Sequence, residues 1–425
     1  MAPPGLPRWP GWRCSGWRPA ETDRSIAPGQ AGAVTAERDH PRAAAPVFSG
    51  GQGEAMAVID FADSRPFTLG VELEFQVLDR ESLDLVPGAP AIIDAVPGFC
   101  RDRVAPEFLQ SILEVQTGVC ASVDEAADQL RSFIPAVEEV ARSQGRLLFS
   151  ASLHPFAEPA DQVLSAGERY LRIMDELQYV GRQFISQGLH VHVGMADRET
   201  AIRVCDGIQV YLPVLLGLST SSPFFRGEDT GLCSYRTKLF EALPMAGIAG
   251  YIGSWQGYEE EISMLRERGI IREVRDLWWD VRPSPGFGTV EIRACDLPSR
   301  FSEVMALTGL VQALAAAIAE QRLRPQPVSP QLLQWNKWQA ARHGLRGQFV
   351  DPLGLLDRAA TVRQAATEML EVLAPWIKRF ASGHWLAGIG SILEQGTGAE
   401  RQRALVARGA DFREMIRTLQ GEYWL

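Results

Sequence analysis

Apolar and polar residues alternate from Phe67 to Leu78 (FTLGVELEFQVL), the signature of a β-strand with one face buried. Phe108–Thr117 predicts a second strand, Leu147–Ser152 a buried strand before a loop at His154-Pro155, Leu189–Val193 a short strand and Gly288–Ala294 another. Helical spacing runs over Asp124–Gly145, with Asp124 placed to cap the N-terminus, over Ala166–Ser186 and over Arg198–Leu218. A polar, glycine-containing loop covers Ser219–Ser234, and helices are predicted over 302–322, 331–343 and 355–381. Strands early and helices late predict an α+β fold, an antiparallel sheet with helices packed on one face. Residues 1–58 break the pattern. They carry Trp9, Trp12 and Trp17 without apolar periodicity, and read as a disordered or mis-assigned extension with Met56 as an alternative start. One catalytic domain is predicted over 59–425, with no internal repeat and no linker.

Composition narrows the function classes. At 425 residues and 46% hydrophobic, the chain can bury a large core, and a formal charge of −10 argues against a nucleic-acid partner. No run of eighteen consecutive apolar residues predicts a membrane span. The 6 cysteines form no C-x-x-C pair, which favours reduced thiols and a cytoplasmic setting over disulfides or zinc. The lysines, Lys238, Lys337 and Lys378, sit in no phosphate-binding G-x-x-x-x-G-K-[ST] loop. Any ATP binds by another design.

The chemistry concentrates on predicted strands. In Gly70-Val-Glu-Leu-Glu-Phe75, Glu72 and Glu74 share one strand face while Val71, Leu73 and Phe75 share the other. A lone E-x-E is more often an acidic solvent face. Here Glu114 lies in a second apolar strand, His190 and His192 share a face of a third, and Glu291 and Arg293 share a face of a fourth. Clustered carboxylates repel and resist desolvation, and a hard divalent cation removes both costs. Oxygen-dominated sets favour Mg²⁺ or Mn²⁺, and arginine beside them suits phosphate. Such a face is a cradle for a nucleoside triphosphate.

Six segments together resemble the glutamate–cysteine ligase type 2 family of carboxylate–amine ligases. They are Gly70–Phe75 (GVELEF), Leu109–Gly118 (LQSILEVQTG), His190–Gly194 (HVHVG), Ser221–Arg236, Trp278–Pro283 (WWDVRP) and Phe287–Arg293 (FGTVEIR). The resemblance runs from about Phe67 to the C-terminus. It implies a glutamine synthetase-like funnel of antiparallel strands, ATP as substrate and Mg²⁺ or Mn²⁺ as cofactor. Glu72, Glu74, Glu114 and Glu291 are implied metal ligands, with His190 as the imidazole ligand and His192 towards ATP or substrate, a pair whose roles can be exchanged. Arg293 and Arg282 are implied to steady the transferring phosphoryl group, and Arg226, Asp229 and Arg236 to border the substrates. The implied partners are small molecules, namely glutamate, ATP and cysteine or another amine, and a homo-oligomer is compatible with the resemblance. A nucleotide-binding protein without turnover is the alternative outside catalysis. Two departures from the family pattern, Gly286 before Phe287 and Leu232-Cys233 before Ser234, bear on acceptor preference and touch no implied metal ligand.

Overall fold

The computed structural model describes residues 59–320 and 325–425; the extension expected over 1–58 lies outside them. Seven antiparallel strands form the main sheet: β1 (Leu69–Asp79), β2 (Val104–Pro106), β3 (Ile112–Gln116), β4 (Arg146–Phe149), β5 (Gly188–Gly194), β6 (Val281–Ser284) and β7 (Thr289–Asp296). Their order is β6-β7-β5-β1-β3-β2, with β4 paired to the C-terminal residues of β1. Twelve α-helices follow among the described residues. The first six are α1 (Ala89–Ala95), α2 (Val123–Ser143), α3 (Glu168–Arg182), α4 (Arg198–Ser219), α5 (Arg236–Glu241) and α6 (Trp255–Glu267). The rest are α7 (Phe301–Ala319), α8 (Pro330–His343), α9 (Val362–Arg379), α10 (Gly383–Gln395), α11 (Gly398–Ala407) and α12 (Phe412–Gly421). The α+β class and the antiparallel sheet agree with the sequence pattern.

Alternation does its expected work. Leu69, Val71, Leu73, Phe75 and Val77 of β1 are 0–2% exposed and join Leu113, Val115, Val191, Val193, Val290 and Ile292 in one core. Each such side chain contributes about 1.5–3 kcal/mol by leaving water. Helices α2, α4 and α7 cover this face. Both α4 and α7 are long and apolar enough to cross a membrane, but 94% of each apolar window is buried inside the protein. They form a central spine with no outward face.

Several boundaries shift for local reasons. The cap of α2 is Ser122, whose hydroxyl accepts from the Glu125 amide. Asp124 instead lies in the first turn and accepts from His384 and Trp385. The strand expected from Phe108 starts at Ile112, because Leu109 and Gln110 turn away to bond the 163–164 segment. The helix expected from 355 starts at Val362, capped by Thr361, after a loop in which Asp351 accepts three backbone amides. Helix α6 was absent from the sequence expectation.

Candidate active site

Cross-strand partners in an antiparallel sheet share a face. The register pairs Glu72 with His190 and Gln116, Glu74 with Glu114, His192 with both Gly70 and Glu291, and Glu291 with Arg282. The polar residues of β1, β3, β5, β6 and β7 therefore converge on the face opposite the helical core. They line a cavity of about 310 Å³, closed on its far side by α3 and the Phe184, Phe240 and Leu243 side chains. Helix α3 is latched across it by Arg172 on Asp276 at 3.3 Å and by the Tyr170 hydroxyl on the Pro106 carbonyl at 3.1 Å.

The carboxylates and imidazoles form three overlapping donor sets. Glu72–His192–Glu291, Glu72–Glu114–His190 and Glu74–Glu107–Glu114 each bring one ligand atom per residue within 4.8 Å of the others. Both imidazoles thus stand in a donor set, where the resemblance had implied one. Glu107 was missed. It precedes the predicted strand in an irregular segment, so no periodicity marks it; an acidic residue against Phe108 and Leu109 was the only signal.

Charge on this face is uneven. Burial works against ionised Glu72, yet hydrogen bonds from His190 and His192 and the charge of His192 hold it far below the usual carboxylate range. His192, 3.2 Å from Glu72, is desolvated but raised overall by Glu291 and Glu72. Burial and the neighbouring Arg293 charge push His190 down to about 4, so it meets Glu72 as a neutral donor at 3.2 Å. Glu291 is also desolvated, but Arg293 and Arg282 hold it well below its ordinary value. The deeper acids behave oppositely. Burial, then Glu107, pushes Glu74 up to about 8, and burial with Glu72, Glu107 and Glu74 raises Glu114 well above 4.5. The His190 Nε2 atom is buried without a hydrogen-bond partner, 3.7 Å from Glu74. Acids that cannot ionise together, beside an unpartnered imidazole nitrogen, are a donor set that a hard cation fits.

The arginines divide the labour. Arg282 binds Glu291 bidentately, Nε to Oε2 at 2.8 Å and Nη2 to Oε1 at 3.3 Å, and gives Nη1 to the Leu277 carbonyl at 2.7 Å. Arg293 also pairs with Glu291 but keeps a buried Nε without a partner. Its backbone is clamped on both sides. The Arg293 amide donates to the Asp280 carbonyl at 2.8 Å, where β7 leaves its register with β5, and its carbonyl accepts Arg236 Nη2 at 3.1 Å. Asp280 is fixed in turn by buried Lys337, at 2.5 Å, which also meets Glu241 at 2.9 Å. Gly188 makes room for Arg236, since a Cβ there would lie 2.4 Å from the guanidinium.

The 219–234 loop is placed differently from expectation. Arg226 is exposed and pairs with Glu158 at 2.9 Å, and Asp229 pairs with Arg403 at 2.5 Å. Neither lines the cavity. The loop's serines instead face inward: the Ser221 amide and the Ser222 and Ser234 hydroxyls all donate to buried Asp296, at 2.9, 2.7 and 2.8 Å. This ring of donors sets the start of α5 and so aims Arg236 into the cavity.

A family model described as glutamate-cysteine ligase family 2 (GCS2) matches residues 68–422. The chain belongs to that family. Glutamate–cysteine ligase family 2 membership makes it an ATP-dependent ligase of the carboxylate–amine type. A Gloeobacter violaceus protein named "Putative glutamate--cysteine ligase 2" is 37% identical over 373 residues, covering 85% of this chain and 98% of that one. A Sorangium cellulosum protein of the same name is 37% identical over 355 residues, covering 82% and 94%. Among solved structures, the Francisella tularensis glutamate–cysteine ligase in complex with AMP superposes with a TM-score of 0.63 at 12% identity, over 85% of this chain and 90% of that one. A bifunctional glutathione synthetase from Pasteurella multocida gives 0.63 at 15% identity, over 84% of this chain and 52% of that longer one. The family 2 fold is thus shared with ligases of very different sequence.

Proposed function

We propose that this protein joins the γ-carboxylate of L-glutamate to the amine of L-cysteine, forming γ-glutamylcysteine, ADP and phosphate. The observation that carries the reading is the continuous band of donor sets, sharing Glu72 and Glu114 and edged by Arg236, Arg282 and Arg293. Glu72, Glu74, Glu107, Glu114, Glu291 and the two imidazoles would hold Mg²⁺ or Mn²⁺. A bound divalent cation there supplies charge neutralisation to the triphosphate. The AMP bound by the Francisella tularensis ligase supports a nucleotide as a ligand of this fold.

In this reading a γ-carboxylate oxygen attacks the γ-phosphorus of ATP, the bond to the bridging oxygen breaks, and ADP leaves. The amine nitrogen then attacks the acyl phosphate carbon, the carbon–oxygen bond to phosphate breaks, and the nitrogen loses its proton. The protein contributes positioning and fixed charge rather than a nucleophile. Arg293 carries the donor with capacity to spare, its unpartnered Nε, whereas Arg282 is committed to Glu291 and Leu277. Arg282 therefore orients Glu291, and Arg293 serves the phosphoryl oxygens. Helix α3 excludes water from the acyl phosphate. The five described cysteines are free and buried, which supports a reducing cytoplasmic setting and leaves none as a nucleophile.

A second reading keeps the chemistry and changes the amine. Ile173, Leu177, Phe184, Phe240 and Leu243 line the cavity beyond the acids, an apolar wall that also suits a bulkier hydrocarbon group than cysteine carries. The test is phosphate release with ATP, Mg²⁺, glutamate and a panel of amines. Cysteine giving the highest kcat/KM supports the first reading, a bulky amine the second. Absence of phosphate release with every amine in the panel would sink both.

A further inference from the structure

Three charged side chains meet outside the cavity. Lys337 of α8 is 2% exposed, and its ammonium lies 2.5 Å from Asp280 and 2.9 Å from Glu241. None of the three lines the cavity. Burial works against the charge of Lys337, but Asp280 and Glu241 outweigh it and raise its pKa overall. A buried ion pair is a weak source of stability, because desolvation offsets much of the Coulomb attraction. What such a network can fix is one arrangement of the elements that carry its charges.

Each acid on Lys337 leads to a cavity arginine. Asp280 has all its polar groups engaged: its amide donates to the Gly247 carbonyl at 2.8 Å, its carbonyl accepts the Arg293 amide at 2.8 Å, and its carboxylate takes Lys337. That carbonyl matters because β7 shifts its register against β5 between Ile292 and Cys295, so no β5 residue pairs with Arg293. Glu241 is the last residue of α5, whose first is Arg236. The serines on Asp296 fix the front of that helix, and Lys337 holds its end. Lys238 also reaches Glu241, at 2.5 Å, but from within the same helix, so Lys337 is the charged contact that joins α5 to Asp280. The two arginines meet as well, Arg236 Nη2 donating to the Arg293 carbonyl at 3.1 Å. Both keep a buried Nε without a partner, and both line the cavity.

We propose that Lys337 is a positioning residue for phosphoryl transfer, one buried ammonium that sets Arg293 through Asp280 and Arg236 through Glu241. The proposal rests on the ligase reading and adds a residue of α8 that never meets substrate. It is tested by steady-state ADP formation in the full chain, with turnover expressed per folded molecule from a urea melt. Lys337→Met should lower kcat about 10–100-fold, the scale of a misplaced donor, with KM for ATP changed less than about threefold. Because that variant strands a buried acid, Lys337→Met/Asp280→Asn accompanies it: asparagine keeps the backbone carbonyl and removes the uncompensated charge. Its melt should move back towards the parent while kcat stays down at least about tenfold. A purely structural Lys337 predicts the reverse, turnover returning as stability does, and that result overturns the proposal. Combined with Arg293→Lys, the double variant should lose less than the product of the separate losses, whereas a full product shows an independent route and also overturns it. Glu241→Ala, at a half-buried position, leaves Lys337 on Asp280 and folds whatever the fate of the others. It should lower kcat about 3–10-fold, and parental kcat there overturns the proposal by itself. A parent that forms no ADP with any amine refutes the ligase reading, and the proposal falls with it; an active parent matched by these variants refutes the proposal alone.

Discussion

Replacing Arg293 by lysine separates the geometry of its charge from the charge itself. The guanidinium is fixed by the Asp280 carbonyl behind its amide, by Arg236 on its carbonyl and by Glu291 at its tip. Its Nε is buried with no partner, on a side chain that lines the cavity. An ammonium on a flexible stem can stay near Glu291 but cannot hold that ion pair and present a second aligned donor. Losing one preorganised donor to developing charge costs about 2.7–4 kcal/mol of barrier, so kcat should fall about 10²–10³-fold. The pair with Glu291 is buried, 14% and 3% exposed, so it is no weak surface contact. Truncating one partner of a buried pair would cost about 3–5 kcal/mol. Lysine keeps the charge, however, and Arg282 remains on Glu291, so the expected stability loss is only about 1 kcal/mol, the size of one hydrogen bond. Steady-state ADP formation and a urea melt measure the two effects separately. KM for glutamate should change less than threefold. A stable Arg293→Lys protein with parental turnover would return the residue to a structural role and remove the reason for the phosphoryl site.

Glu74→Gln should lose nearly all turnover yet melt at the parental temperature or above it at pH 8, because the amide removes a charge that burial disfavours. The raised carboxyl gives a pH signature. The folded state binds this proton more tightly, so the metal-free protein should lose stability as pH rises from about 4.5 to about 8, and Mg²⁺ should flatten the loss in melts across that window. Flat metal-free melts would contradict a buried, unpaired Glu74. Lys337→Met strands Asp280 in the interior, while half-buried Glu241 keeps Lys238, and should cost about 3–5 kcal/mol in urea unfolding; a loss below 1 would show the network to be solvated. Deleting residues 1–55 should leave melting temperature and ADP formation unchanged, and a drop of several degrees would show that the extension packs on the catalytic domain.

The site was legible where it lies on regular strands. Period-two alternation alone places Glu72 with Glu74 and His190 with His192, and register only has to bring the strands together. What escaped was irregular or tertiary. Glu107 lies between two strands, and its neighbours follow no period. Arg226 and Asp229 sit in a motif-rich loop, but the residues of that loop that turn inward are its serines, and their common acceptor, Asp296, is over 60 positions away in sequence. No local pattern announces such a partner. Lys337 likewise looked like any helix lysine, and only α8 packing against the Trp278–Asp280 segment reveals it as a buried counter-ion.

The two apolar helices at the centre also set a timetable for the molecule's birth. Helix α4 packs on α7, α8 and α9, none of which exists when α4 leaves the ribosome. The last of these three, α9, begins at Val362, more than a hundred residues further along the chain. At roughly 5–20 residues per second, that leaves a largely apolar helix waiting for roughly 7–30 s. During this interval the sheet can shield one side of it at most, because β7 is also still to come. Nascent chains of this protein should therefore be clients of whatever holds hydrophobic segments at the ribosome exit, and stalling synthesis between α4 and α7 should drive them into aggregates.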